Sequence, residues 1–324
     1  MEVLKDRFNR TLDYVRISIT DRCNFRCRYC MPEEGISFIP HSRIMSYENI
    51  TFLAAVLERM GVRKLRFTGG EPFLRKGFPG FIESIRKELP GLKIAVTTNG
   101  SLLEQSVDFL KNAGVSGVNV SLDTIDPDDF RDITRVGELK PVIRGIEKAC
   151  ASRLPVKINT VLIRGFNDHS IQALLDFAQS CGAVLRLIEF MPLDKSVWSE
   201  NRFISADAIV GMLPEPDAWE TLDTSSDHSS GPAKYYRNRS TGQKLGIIAP
   251  VTHHFCETCN RLRITATGEV RACLFSDSGV DLFQALKDKD EPRLRAMLAS
   301  AAESKPECWM QLASSIRPMS RIGG

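Results

Sequence analysis

The stretch Val15-Arg16-Ile17-Ser18-Ile19-Thr20-Asp21-Arg22-Cys23-Asn24-Phe25-Arg26-Cys27-Arg28-Tyr29-Cys30 decides the fold. Its first six residues alternate apolar with polar, which marks a strand buried on one face. A loop carrying three cysteines follows at once. The same alternation returns near 63–67, 92–99, 117–123, 155–161 and 184–190. Between these segments apolar residues fall at helical spacing, as at Ile50, Leu53, Val56, Leu57 and Met60, closed by Gly61. Further helices are expected over 79–89, 101–113, 138–152 and 168–181. Six strand–helix units in series predict parallel strands with right-handed crossovers. Either a doubly wound sheet or an incomplete (β/α)6 barrel satisfies that count.

Strand polarity separates the two. Val15, Ile17, Ile19, Leu65, Phe67, Val118, Val120, Leu122, Val156, Ile158, Leu185 and Leu187 would face the helices. The alternate faces carry Arg16, Lys64, Arg66, Asn119, Ser121, Lys157, Asn159 and Arg186. A closed barrel fills its interior with branched apolar side chains. Buried cations without counter-charge are costly, so an open, partial barrel around an anionic ligand is expected.

Composition narrows the class. The 324 residues carry 43 basic and 40 acidic side chains, a formal charge of +3, with 43% hydrophobic and 26% charged residues. These values exclude a disordered chain, a collagen-like fibre and a polyanion-coating protein. No basic stripe speaks for nucleic acid. No apolar run approaches the roughly 20 residues that span a bilayer, and Met1–Asn9 lacks a secretory h-region. A soluble, cytoplasmic protein is expected, with no membrane partner. Three regions are expected: a strand–helix barrel over 1–200, an acidic connector over 201–230, and a C-terminal region over 231–324. The connector is expected to be partly helical at 205–213 and loose afterwards. Short strands at 234–239 and 244–248, a hairpin around Thr267-Gly268, and helices at 280–287 and 292–302 should follow.

Nine cysteines in a chain of this length do not form a disulfide framework. Cys23, Cys27 and Cys30 give C-x3-C-x2-C at the mouth of the first strand, where barrel active sites assemble. Three thiolates hold three irons of a 4Fe–4S cluster and leave the fourth iron for a ligand. Zinc is the alternative, with His41 the nearest further donor. Cys256, Cys259 and Cys273 give C-x2-C-x13-C, and here His253, His254 or Cys308 would complete a zinc site. Arg261 and Arg263 then share one strand face, and paired guanidiniums suit a phosphate-bearing ligand. Cys150, Cys181 and Cys308 read as packing residues.

The first group, with Tyr29 at the aromatic place of C-x3-C-x-aromatic-C, resembles the radical S-adenosylmethionine (SAM) superfamily. Thr68-Gly69-Gly70-Glu71-Pro72 matches its GGEP signature. Met31-Pro32, Arg261-Leu262-Arg263, Gly268, Cys273-Leu274-Phe275 and the terminal Gly323-Gly324 narrow the resemblance to the MoaA family of GTP 3′,8-cyclases, from Arg16 to the end of the chain. Rival readings are a radical SAM enzyme that modifies peptides, and a non-catalytic zinc or cluster protein.

The resemblance implies an incomplete radical SAM barrel whose C-terminal extension closes the mouth and carries a second 4Fe–4S cluster. In that family the first cluster, here on Cys23, Cys27 and Cys30, cleaves SAM to a 5′-deoxyadenosyl radical that attacks the ribose of GTP. The product, 3′,8-cyclo-7,8-dihydroguanosine 5′-triphosphate, goes to cyclic pyranopterin monophosphate synthase in molybdenum cofactor biosynthesis. By the same resemblance Cys256, Cys259 and Cys273 hold the second cluster, whose open iron binds guanine. SAM contacts fall to Tyr29, Gly69, Gly70, Glu71, Ser121 and Met191. GTP contacts fall to Arg16, Lys64, Arg66, Thr97, Lys157, Arg186, Arg261 and Arg263. Arg261, Arg263, Gly323 and Gly324 are the catalytic candidates. An external electron donor and a homodimer are implied.

Overall fold

A computed structural model describes residues 3–194, 196–223, 231–277 and 279–312. Six strands form the frame: β1 (Tyr14–Ser18), β2 (Lys64–Thr68), β3 (Lys93–Thr98), β4 (Gly117–Ser121), β5 (Val156–Leu162) and β6 (Val184–Glu189). Each pairs in parallel with the next, so spatial order follows chain order. Helices α1 (Tyr47–Arg59), α2 (Phe78–Glu88), α3 (Leu103–Asn112), α4 (Pro127–Thr134), α5 (Leu139–Ala151) and α6 (Ile171–Cys181) make the crossovers. A doubly wound sheet reverses direction at a switch point; this one does not. A row of right-handed crossovers that never reverses curls the sheet into a partial barrel with the helices outside.

Burial follows the expected alternation. Val15, Ile17, Leu65, Phe67, Val120, Ile158, Leu185 and Leu187 are wholly buried beneath the helices. Phe67, Phe78 and Phe81 meet edge to face or tilted and anchor β2 under α2. α4 is a helix the apolar periodicity does not announce. Asp126 caps it by accepting from the amides of Asp128 and Asp129, with Pro127 at its first turn.

The rest of the chain extends both edges of the frame. β7 (Trp219–Leu222), β8 (Lys234–Asn238) and β9 (Lys244–Ile248) form an antiparallel run, and β9 lies parallel to β6. β10 (Arg261–Ile264) lies parallel to β1, followed by β11 (Glu269–Arg271) and β12 (Val280–Asp281). The result is a twelve-stranded sheet among the described residues, with β12 and β7 at its ends. The remaining helices are α7 (Ala206–Gly211), α8 (Phe283–Lys287) and α9 (Glu291–Glu303).

Two expectations need correction. The second half of the acidic connector is not loose before residue 224, because Trp219 is buried and donates to the carbonyl of Pro214 while its strand pairs with β8. The expected helix at 280–287 begins instead as a strand, because Val280 continues the pairing with Val270 before α8 starts. Residues 224–230, 313–324 and therefore Gly323-Gly324 lie outside the described residues. No helix among the described residues is long and apolar enough to cross a membrane.

Candidate active site

The loop after β1 carries the first cysteine group. Arg26 and Arg28 donate backbone hydrogen bonds to the carbonyls of Thr134 and Ile133 at the end of α4, and Cys30 and Met31 donate to the carbonyl of Cys27. Gly69 and Gly70 pack the end of β2 against the end of β1. A β-carbon at Gly70 would lie 2.2 Å from the carbonyl oxygen of Arg22, and its amide donates to Thr20 at 2.8 Å. The glycines thus let two backbones touch beside the cysteine loop.

Glu71 has a different place from the one expected of it. Its carboxylate is fully buried, accepts from Thr98 Oγ1, the Asn99 amide and the Phe73 amide, and is absent from the cavity wall. Burial pushes its pKa up to about 7. It ties β2 to the end of β3 rather than facing a ligand. Glu189, at the end of β6, does the same on the other side. It is fully buried and accepts from the amides of Ala206, Val251 and Thr252, binding the chain after β6 to the chain after β9. Nothing in the local sequence marks it.

One cavity of about 360 Å³ opens at this end of the barrel. Cys23, Cys27 and Cys30 line one part of its wall, Cys256, Cys259 and Cys273 another. Tyr29, Gly69, Gly70, Ser121 and Met191 line it too, as do Arg16, Lys64, Arg66, Thr97, Lys157, Arg186, Arg261 and Arg263. Every cluster, SAM and GTP candidate within the described residues therefore lines the cavity except Glu71, whereas His41, His253 and Cys308, the further zinc donors considered, do not.

Register explains the cationic floor. Arg66 on β2, Arg16 on β1 and Arg263 on β10 are direct neighbours across three parallel strands, and Lys64, Tyr14 and Arg261 form the next row. Adjacent strands lie about 4.8 Å apart, so the three guanidiniums crowd one another. Burial, and then Arg263, holds Arg16 well below the ordinary arginine range; burial, and then Arg261, brings Arg263 down to about 10. Burial likewise lowers Lys64 and Arg186. Arg186 donates twice to Asn159 Oδ1, at 2.9 and 2.6 Å. Gly246 on β9 makes room for it, since a β-carbon there would lie 2.9 Å from Arg186 Cγ. Such a floor is most stable against a polyanion.

Tyr14 is the counterweight that the sequence reading missed, although it sits on the same strand face two residues before Arg16. Its hydroxyl lies 2.6 Å from Arg66 Nε, and Lys64 Nζ stands 5.0 Å over its ring. Burial opposes ionisation of the phenol, but Arg66, Arg16 and Lys64 outweigh it and bring the pKa from 10.0 down to about 7.

The two cysteine groups differ electrostatically. Burial raises Cys23 and Cys27, the latter further through Cys30 and Asp123. Tyr29 donates to Asp123 at 2.6 Å, so its hydroxyl is committed to that carboxylate. In the second group burial also opposes ionisation of Cys259, yet Arg261 and Lys305 bring it down to about 6. Lys305 is buried and donates to the carbonyls of Arg261 and Ala272, at 2.8 and 2.6 Å. Of the histidines, His253 contacts Asp207, whereas His254 lines the cavity. The sulfur of Cys308, expected only to pack, lies within 4.8 Å of the Cys256 sulfur and of a ring nitrogen of His254. Both groups of three thiols line this cavity, and such a donor set fits an iron–sulfur cluster with one iron left for a ligand. Metal binding would replace protons on the raised thiols.

Comparison with known proteins agrees with this geometry. Residues 17–178 match the model of the Radical SAM superfamily, and 183–311 that of Molybdenum Cofactor Synthesis C. A GTP 3′,8-cyclase of Thermodesulfovibrio yellowstonii is 43% identical over 99% of this chain and 100% of its own. Its namesake from Alkaliphilus oremlandii is 40% identical over the same shares. Among solved structures, Streptococcus suis SuiB bound to precursor peptide SuiA superposes with a TM-score of 0.65 at 15% identity, covering 93% of this chain and 67% of that one. At that identity the likeness speaks for the fold.

Proposed function

The chain belongs to the GTP 3′,8-cyclase family within the radical SAM superfamily, and from that membership we propose how its residues divide the work. It is a radical SAM lyase that converts GTP to 3′,8-cyclo-7,8-dihydroguanosine 5′-triphosphate, the first step of molybdenum cofactor biosynthesis. SAM and a 4Fe–4S cluster are its cofactors. The observation that carries the division is the single cavity in which two thiol groups share a floor of register-matched arginines.

Cys23, Cys27 and Cys30 would hold the SAM cluster, which when bound supplies the electron that cleaves SAM. Gly69, Gly70, Ser121, Met191 and Tyr29 would contact SAM. Glu71 acts one step back, by fixing β2 against β3. Cys256, Cys259 and Cys273 would hold a second cluster facing guanine. Arg16, Arg66 and Arg263 lie at one level of the barrel, and Lys64, Arg261, Lys157 and Arg186 surround them. They neutralise the about four charges of a triphosphate in a site of low dielectric. Thr97, held by Arg66, lies within reach of the same ligand. Arg261, Arg263 and the glycines at 323 and 324 are the catalytic candidates. The barrel of 1–200 thus serves SAM, 231–324 serves guanine, and 201–230 joins them. Product would pass to cyclic pyranopterin monophosphate synthase, with an external reductant as electron donor and a homodimer as the working unit in the cytoplasm.

Anaerobic reconstitution tests this division. Roughly eight irons per chain and formation of 5′-deoxyadenosine that depends on GTP are expected. SAM cleavage indifferent to GTP, or stoichiometric zinc in place of the second cluster's iron, would overturn it.

A further inference from the structure

Cys308 lies 52 residues past Cys256 in sequence, yet the fold drives the two together. Three anchors do so. Lys305 spans the carbonyls of Arg261 and Ala272. Arg10 donates to the carbonyl of Cys256 at 2.6 Å and to those of Pro306 and Glu307 at 2.6 and 3.1 Å, so one guanidinium clamps both segments. Trp309 stacks on Phe275 with ring centroids 4.4 Å apart and donates to the carbonyl of Pro250. The clamp leaves one nitrogen of His254 and the sulfurs of Cys256 and Cys308 all within 4.8 Å of one another.

We propose that His254, Cys256 and Cys308 form a site for a single soft divalent cation of the zinc class, exclusive of the second cluster because both need Cys256. Zinc bonds of about 2.0–2.3 Å put tetrahedral donors roughly 3.5–4 Å apart, so the three donors need move by an ångström or less. One imidazole and two thiolates are a zinc-type set, and the fourth position stays open to water. The two neighbouring donors stand outside this close group. His253 faces Asp207, and Cys259 accepts from Arg261 Nη2 at 3.5 Å. Three donors this close suit one ion, whereas the cluster draws on Cys256, Cys259 and Cys273. The exclusivity rests on the proposed role of Cys256 in the second cluster; the ion site itself does not.

The experiment uses the cluster-free, reduced full chain and Co2+ as the probe. The double variant Cys259→Ala/Cys273→Ala, which cannot build the second cluster, should still bind cobalt with thiolate-to-metal absorption. Adding Cys308→Ala or His254→Ala should weaken one equivalent by more than about tenfold. Unchanged binding in those triple variants would overturn the site. Cys308→Ala alone should take up as much iron as the parent, which also shows that it folds. Loss of the second cluster's iron in Cys308→Ala would overturn the proposal by making Cys308 a cluster ligand. Zinc-loaded parent should take up about half the iron and zinc-treated Cys308→Ala the full amount; full uptake by both would refute the exclusivity. A parent chain that never holds a second cluster would instead sink the cluster assignment, and the cobalt result would stand.

Discussion

Tyr14 and the guanidiniums around it set the pH response of the site. With a native pKa of about 7 against 10.0 ordinarily, ionisation of Tyr14 adds nothing to stability below pH 7. Its contribution grows as pH rises from 7 to 10 and is complete above that. A bound polyphosphate would raise the phenol again, so GTP binding should take up a proton and weaken as pH rises above about 7. Calorimetric titration across that range checks this, and Tyr14→Phe should flatten the curve. In a spectrophotometric titration one of the five tyrosines should ionise near neutrality, and Tyr14→Phe should remove that step. Arg263→Ala removes a buried donor from the β10 end of the arginine row. It should weaken GTP binding by roughly ten- to a hundredfold while iron content stays at the parent value. Loss of the iron instead would make Arg263 a support for the second thiol group. Arg261 and Arg263 were legible in the sequence because alternation assigns a face to every strand residue. Tyr14 was not, because the effect of its hydroxyl comes from neighbours on β2 that pairing alone supplies.

At the scale of elements, the meeting of β1 and β2 holds the first thiol group in place. Gly70→Ala would push a methyl into the carbonyl of Arg22. The chain should still fold, with unchanged far-UV circular dichroism, but the cysteine loop should shift and reconstituted iron should fall to about half. Asp126→Ala removes the cap of α4, a change of about 1 kcal/mol, visible as a lower midpoint in denaturant. Because Ile133 and Thr134 hold Arg28 and Arg26, that loss should also slow cluster loading more than its size suggests. The helices with apolar stripes were legible from period alone. α4 was not, since its signal is the Asp-Pro start rather than a stripe. β7 was masked by its acidic surroundings, and only pairing with β8 makes it a strand.

Across the whole molecule, the C-terminal region extends the partial barrel on both sides, with β9 on β6 and β10 on β1. Lys305 belongs at this scale, because it joins α9 to β10 and the chain after β11 through two buried carbonyls. Lys305→Met keeps the bulk and removes the ammonium's hydrogen bonds to both carbonyls, at about 1–3 kcal/mol each. Calorimetry should show a lower melting temperature, and Cys259 should lose part of its acidity, since Lys305 is one of the cations that lower it. Alkylation rates at Cys259 across pH would report that directly.

The sequence by itself determined the singly wound order of strands, the two thiol groups and the polar inner face. Each is written in local spacing, either a period of two along a strand or a cysteine interval within one loop. Only the tertiary structure decided which cations become neighbours, that Glu71 turns away from the cavity, and that Cys308 reaches Cys256. Those facts depend on strand register and on contacts between residues tens to hundreds of positions apart. Closing such distances is an entropic cost met by the packed whole, so no local pattern records where they close.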